Sequence, residues 1–262
     1  MAKRIWTLIL AAVLLTSCGL GHNVVKQPDL LDQIQERGYV TVGSTGDYRP
    51  LSWLNPETGC YEGLDADLTE ILAQELGVEL RYYHTSWPTI NTDALDPEKF
   101  DLACCGITIS AKRLETLAMS DPYLDNGKTI LCRVEDAGRF TSLESLNQSD
   151  VRVMVNPGGL NEQFARENLT NAQIIVYDRN EEIPSRIAEG LADVMITEIV
   201  EAPYYVRTDP RLAAPLLAHP FTNGKIGFLM RKDCPRLLEE VNSVIKKVKS
   251  DGRLEALKEK YL

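Results

Sequence analysis

Histidine is nearly absent: three residues in 262, His22, His84 and His219, show no metal-ligand spacing. That speaks against a zinc centre and against Ser-His-Asp chemistry. The six cysteines, Cys18, Cys60, Cys104, Cys105, Cys132 and Cys234, include no Cys-x-x-Cys pair. Positive charge is in deficit, 28 Lys and Arg against 38 Asp and Glu, for a formal net charge of −10. A nucleic-acid or anionic-membrane surface is therefore not expected, and any anion binding has to be the property of a local pocket. Long apolar runs are missing too: Ile5 to Leu15 falls short of the roughly 20 residues that cross a bilayer. What is present, 44% hydrophobic and 25% charged residues, suits a globular chain of one large domain or two modest ones.

The amino terminus reads as a targeting device. Lys3 and Arg4 precede the short apolar run, which ends in Leu15-Thr16-Ser17-Cys18-Gly19. This looks like a bacterial lipobox. Residues 1–18 are then a signal peptide, Cys18 is the lipidated first residue of an exported lipoprotein, and residues 19–28 are a tether. A plain cleaved signal is the alternative. The anchor would place the protein in the periplasm or on the outer face of the cell membrane. Five cysteines remain, an odd number that cannot all pair within one chain. Cys104, Cys105 and Cys132 sit in apolar runs and are expected to be buried thiols.

The most informative stretch is Val151 to Phe164. Val-Arg-Val-Met-Val predicts a buried strand, and Asn156-Pro157-Gly158-Gly159 is an elbow whose glycines let the backbone turn and approach something closely. A helix should follow, with Asn161 as its cap. Such an elbow aims free N–H groups and a positive dipole end into a crevice, which suits a carboxylate or a phosphate. It also fits an ordinary strand–turn–helix connection.

Two further clusters carry chemistry. Thr108 and Arg113 follow the buried run Phe100 to Gly106, and a hydroxyl with a guanidinium fork makes a carboxylate clamp. An exposed arginine at a helix start is the alternative. Glu198 and Glu201 follow the strand Ala192 to Ile196 and are expected on one face of a helix start, where repulsion and burial can keep one of them protonated. Two acids favouring a helix dipole are the alternative. Elsewhere the pattern predicts an Asp29-capped helix, strands over Tyr39 to Gly43 and Ile226 to Met230, and a helix carrying Leu237, Val241, Val244, Ile245 and Val248. Strands and helices alternate once before Gly127 and once after it, which argues for two α/β lobes.

Taken together, Thr45-Gly-Asp-Tyr48-Arg-Pro, Tyr61-Glu-Gly-Leu-Asp65-Ala-Asp67, Phe100-Asp-Leu-Ala, Gly106-Ile-Thr108-Ile-Ser-Ala-Lys-Arg113 and Asp121-Pro-Tyr123 resemble family 3, the amino-acid-binding family, of the type II periplasmic solute-binding proteins. The resemblance implies an α/β, two-lobe fold, each lobe a mixed sheet flanked by helices, with the ligand cleft between lobes. Residues 29–127 plus 222–262 would form lobe 1 and residues 128–221 lobe 2.

Within that family, Thr85-Ser-Trp87-Pro, Asp125-Asn-Gly-Lys128-Thr and Asn156-Pro-Gly-Gly-Leu160-Asn161-Glu-Gln-Phe-Ala-Arg166 are similar to the cyclohexadienyl dehydratases, exported lyases that turn prephenate into phenylpyruvate and arogenate into phenylalanine. The similarity implies a role for each matching residue. Arg113, with Thr108 and the N–H groups near Gly158 and Gly159, would clamp a carboxylate; Tyr48 and Trp87 would sandwich the ring. Asn156 and Asn161 would orient the second carboxylate or the departing hydroxyl. Glu201 would be the general acid, and Glu198 stands where amino-acid receptors hold an α-ammonium with an aspartate. No cofactor or metal is implied, because aromatisation drives the reaction. Two positions depart from the dehydratase pattern, Leu160 in place of threonine and Glu198 in place of aspartate. The alternative function is that of a non-catalytic substrate-binding lipoprotein, which would deliver an amino acid to an ABC permease.

Overall fold

A computed structural model describes residues 29–262. The signal peptide, the Cys18 lipidation site and the tether lie outside the described residues.

Two five-stranded mixed sheets carry the fold. In the first, Tyr39–Ser44 lies between two parallel neighbours, Glu79–His84 and Leu102–Ala103, and the sheet continues antiparallel through Leu229–Arg231 to Leu117–Met119. In the second, Arg152–Val155 lies between parallel Gln173–Val176 and Val194–Glu198, followed by antiparallel Lys128–Arg133 and Leu212–Ala213. The chain passes between the sheets where Leu124–Asn126 pairs antiparallel with Gly224–Ile226.

Apolar periodicity explains the layers. Leu68, Leu72 and Leu76 of the helix Leu64–Leu76, and Leu237, Val241, Val244, Ile245 and Val248 of the helix Pro235–Ser250, join Val40, Val42 and Leu102 in one core. Each such side chain contributes roughly 1.5–3 kcal/mol on burial. Asp29 caps the first helix, accepting the Leu31 N–H at 3.0 Å. The five cysteines described are free thiols, and Cys104, Cys105 and Cys132 are buried, in line with their apolar surroundings.

Two expectations are corrected. The run Ile226 to Met230 is not one strand: Ile226 ends the crossing pair and Leu229 begins a strand of the first sheet. The break falls at Gly227, whose N–H donates to the Ile107 carbonyl at 3.1 Å, and at Phe228, whose N–H donates to Ser120 Oγ at 2.8 Å. Asn161 does not cap the helix Leu160–Asn168. Gly159 occupies the cap position without a side-chain bond, and the Asn161 amide is engaged elsewhere.

Candidate active site between the lobes

The carboxyl ends of the central strands of both sheets open on one cavity. Strand ends in open α/β sheets are where ligands bind, because the diverging loops leave a crevice there. From the first-sheet side come Tyr48, Trp87, Gly106, Thr108 and Arg113. From the second come Asn156, Gly159, Leu160, Asn161, Asn180 and Glu198, with Lys128 at the crossing. Eight of the ten residues singled out by sequence therefore meet at one surface. Gly158 and Glu201 do not line it.

Arg113 is buried, and among the described residues it makes no ion pair. Its Nη1 donates to the Thr108 carbonyl at 2.7 Å and its Nε to Asn91 Oδ1 at 3.1 Å. These bonds fix the guanidinium plane. A buried cation without an internal carboxylate is costly unless a ligand supplies the anion. The alternative of an exposed helix-start arginine does not hold.

Glu198 ends the strand Val194–Glu198, directly opposite Lys128 in the antiparallel register. Lys128 Nζ reaches Glu198 Oε1 at 2.5 Å and Asn161 Oδ1 at 2.6 Å. Thr108 Oγ1 donates to Glu198 Oε1 at 3.2 Å, and the Tyr48 hydroxyl donates to Oε2. Burial alone would push the Glu198 carboxyl up, but the Lys128 charge and the bonds from Lys128 and Tyr48 bring it below the usual glutamate value.

Glu201 is on no helix face shared with Glu198. It precedes the helix Ala202–Thr208, and its N–H donates to the Glu198 carbonyl at 3.0 Å, so a tight turn separates the two acids. Its side chain is fully buried behind the cavity wall. The Thr197 hydroxyl donates to Oε2, while Oε1 has no partner among the described residues. Burial pushes this carboxyl up to about 8, with the nearby charges of Glu198 and Asp47 adding to the rise and Thr197 and Lys128 opposing it. One glutamate is thus held ionised and its neighbour protonated, the separation of roles that acid–base sites use.

Two expected roles change. Tyr48 and Trp87 meet edge to face, with ring planes 87° apart and centroids at 5.8 Å, so they do not form two parallel walls; Trp87 is turned by its Nε1 bond to Asp47 Oδ1 at 2.9 Å. Gly158 does not offer its N–H to the cavity, because it donates to Glu162 Oε2 at 2.8 Å. Its positive φ of 71° instead lets the elbow pass Pro88 of the other lobe, where an added Cβ would come within 2.7 Å of Pro88 Cα. The elbow is a contact between lobes.

Lys128 and Asn180 were not expected in the site. A lysine at the head of a strand that is otherwise buried through Cys132 is the signal that Lys128 left in the sequence. Asn180 gave none: its Nδ2 donates to the Asp47 carbonyl at 3.0 Å and its Oδ1 is buried without a partner among the described residues. Together the wall presents two cations, Arg113 and Lys128, against one ionised carboxylate, in a chain of net charge −10. The site suits a small carboxylate.

Comparison with known proteins agrees with this geometry. The cyclohexadienyl dehydratase of Pseudomonas aeruginosa (strain PAO1) is 40% identical over 207 residues, 79% of this chain and 76% of that protein. The crystal structure of an ancestral amino-acid-binding protein, a precursor of cyclohexadienyl dehydratase, is 37% identical, with a TM-score of 0.82 over 88% of this chain and 98% of that one. An ancestral cyclohexadienyl dehydratase is 47% identical, with a TM-score of 0.56 over 89% of this chain and 96% of that one. The family model of the bacterial extracellular solute-binding proteins, family 3, matches residues 40–262, and with the two-lobed type II fold in place the chain belongs to that family.

Proposed function

We propose that this protein is a lyase of the cyclohexadienyl dehydratase type, exported and anchored through a lipid on Cys18. Residues 29–127 with 222–262, and 128–221, are its two lobes. The observation that carries the reading is Glu201, a fully buried carboxyl raised to about 8 with one oxygen unpartnered among the described residues. Lys128 lies close enough for its charge to oppose that rise. A binding protein has no need of a stored proton there. A dehydratase does.

In the proposed reaction Arg113 holds one carboxylate of the substrate, and Asn156 and Asn161 orient the other or the departing hydroxyl. On this reading the bound substrate displaces the side chains that part the cavity from Glu201, and Glu201 gives its proton through Oε1 to the ring hydroxyl. The C–O bond breaks and water leaves, while the pair of electrons from the ring-carbon–carboxylate bond enters the ring as carbon dioxide departs. Glu201 then recovers a proton from solvent. One proton is taken up, and carbon dioxide, water and the aromatic product are released; no metal or cofactor is required. A positioned acid contributes about 10²–10⁴-fold, and a closed cleft excludes the water that would compete for the proton.

The alternative is a receptor that delivers an amino acid to an ABC permease, favoured by the 0.82 overlap with an ancestral amino-acid-binding protein. Thermal denaturation in the presence of the proteinogenic amino acids separates the two. A receptor would gain several degrees from one of them at millimolar concentration, since saturating ligand stabilises by mass action. The lyase reading expects such a gain from none but phenylalanine, the product of arogenate, and a large shift with any other amino acid would contradict it.

A further inference from the structure

The lyase reading names two substrates that differ at one atom of the side chain. One carries a carbonyl on the carbon beside its carboxylate, the other an ammonium. The corner of the cleft beside Glu198 distinguishes them. The resemblance implies that receptors hold an α-ammonium at this place with an aspartate. Here Glu198 Oε1 already accepts from Lys128 at 2.5 Å and from Thr108 at 3.2 Å, and Oε2 accepts from Tyr48.

Lys128 cannot easily withdraw. It begins a strand whose next four residues, Thr129 to Cys132, are fully buried, and it faces Glu198 in register. Asn161 holds it from the other side at 2.6 Å. An ammonium nitrogen has three N–H groups, and two are engaged, by Glu198 and Asn161. The third remains for a ligand. The corner therefore offers a hydrogen-bond donor and a positive charge to whatever lies beside it. A ligand carbonyl completes the set. A ligand ammonium meets the Lys128 charge there, while the carboxylate it would need, Glu198, is already taken up by Lys128, Thr108 and Tyr48.

We infer that the Lys128–Glu198 pair makes this cleft selective for an α-keto acid over the α-amino acid of the same shape. The inference rests on the reading of the cleft as a site for a small aromatic or pre-aromatic carboxylate held by Arg113. It makes Lys128 a specificity-determining residue and turns Glu198 from a ligand-holding group into the counter-ion that keeps Lys128 in place.

The test is a calorimetric titration of the purified protein at neutral pH with phenylpyruvate and with L-phenylalanine, which differ only in carbonyl against ammonium. Phenylpyruvate is expected to bind at least about tenfold tighter, equivalent to about 1.4 kcal/mol. A smaller ratio, a preference for L-phenylalanine, or failure of phenylpyruvate to bind at millimolar concentration would overturn the inference. In Lys128→Met, with folding checked by circular dichroism, the ratio should fall at least tenfold; an unchanged ratio would remove Lys128 from the role. Turnover of prephenate is a separate readout. A protein that prefers phenylpyruvate but forms none from prephenate keeps this inference and loses the lyase, and one that converts prephenate but binds both products equally does the reverse.

Discussion

Glu201→Gln is expected to lower turnover of prephenate by about 10²–10⁴-fold, the usual contribution of a positioned general acid, while ligand affinity changes little. Glutamine keeps the size of the side chain and cannot give up a proton. The loss should appear in kcat and in kcat/KM alike, because the proton is transferred only in the transition state. The parent protein should show the matching pH profile. Burial, with Glu198 and Asp47 beside it, holds the Glu201 carboxyl up to about 8, so turnover should be level below that value and fall about tenfold per pH unit above it.

The same group ties activity to stability. Glu201 is raised from an ordinary value of 4.5 to about 8 in the folded chain. The native state therefore holds this proton more tightly than the unfolded one. Its contribution to stability is complete below 4.5 and is lost as pH rises from 4.5 to 8. Glutamine carries no such dependence. The variant should be the more stable protein at pH 8, by an amount on the order of a few kcal/mol, and its advantage should vanish toward pH 4.5. Thermal melts across that range check this. Equal melting at pH 8 would mean that Glu201 is not held protonated.

Arg113→Met should have the second large effect. The guanidinium is buried, fixed by Asn91 and Thr108, and without an ion pair among the described residues. A carboxylate that docks there makes charge-assisted bonds, and truncating one partner of such a pair typically costs about 2–5 kcal/mol. Affinity for phenylpyruvate should accordingly drop by roughly 10²-fold or more on calorimetric titration. The empty protein should lose little, because a desolvated cation with no partner carboxylate is removed along with its neutral contacts. A variant that binds normally, or one that unfolds, would assign Arg113 a structural role instead.

Much of this site was legible from sequence because its residues follow buried strands. Tyr48, Thr108 and Arg113 come after runs whose apolar character fixes where the chain ends up, and the Asn156 to Gly159 elbow marks a strand-to-helix turn. What was missed has a common physical cause. The cleft is buried without being apolar, so polarity there no longer signals exposure. Thr197 and Glu198 are fully or nearly buried, and the strand runs on through them where the apolar pattern stops at Ile196. Glu198 and Glu201 were consequently placed on a helix rather than across a turn. Lys128 stands in the sequence only inside the Asp125-Asn-Gly-Lys128-Thr motif, with no role attached, and Asn161 reads as a cap because its position before a helix permits that role equally well. The partner that decides between such roles lies far along the chain, Lys128 with Asn161 and Glu198.

The central claim is that Glu201 and the anion clamp make this solute-binding fold a catalyst. Purified protein from residue 22 onward, incubated with prephenate at neutral pH, tests it most directly, with phenylpyruvate followed against a protein-free control because prephenate decays unaided in acid. Formation of phenylpyruvate well above the control, and its loss in Glu201→Gln, is the result this account predicts. A rate equal to the control, in protein that still binds phenylpyruvate, would contradict it and leave a receptor whose buried glutamate stores a proton that no substrate takes.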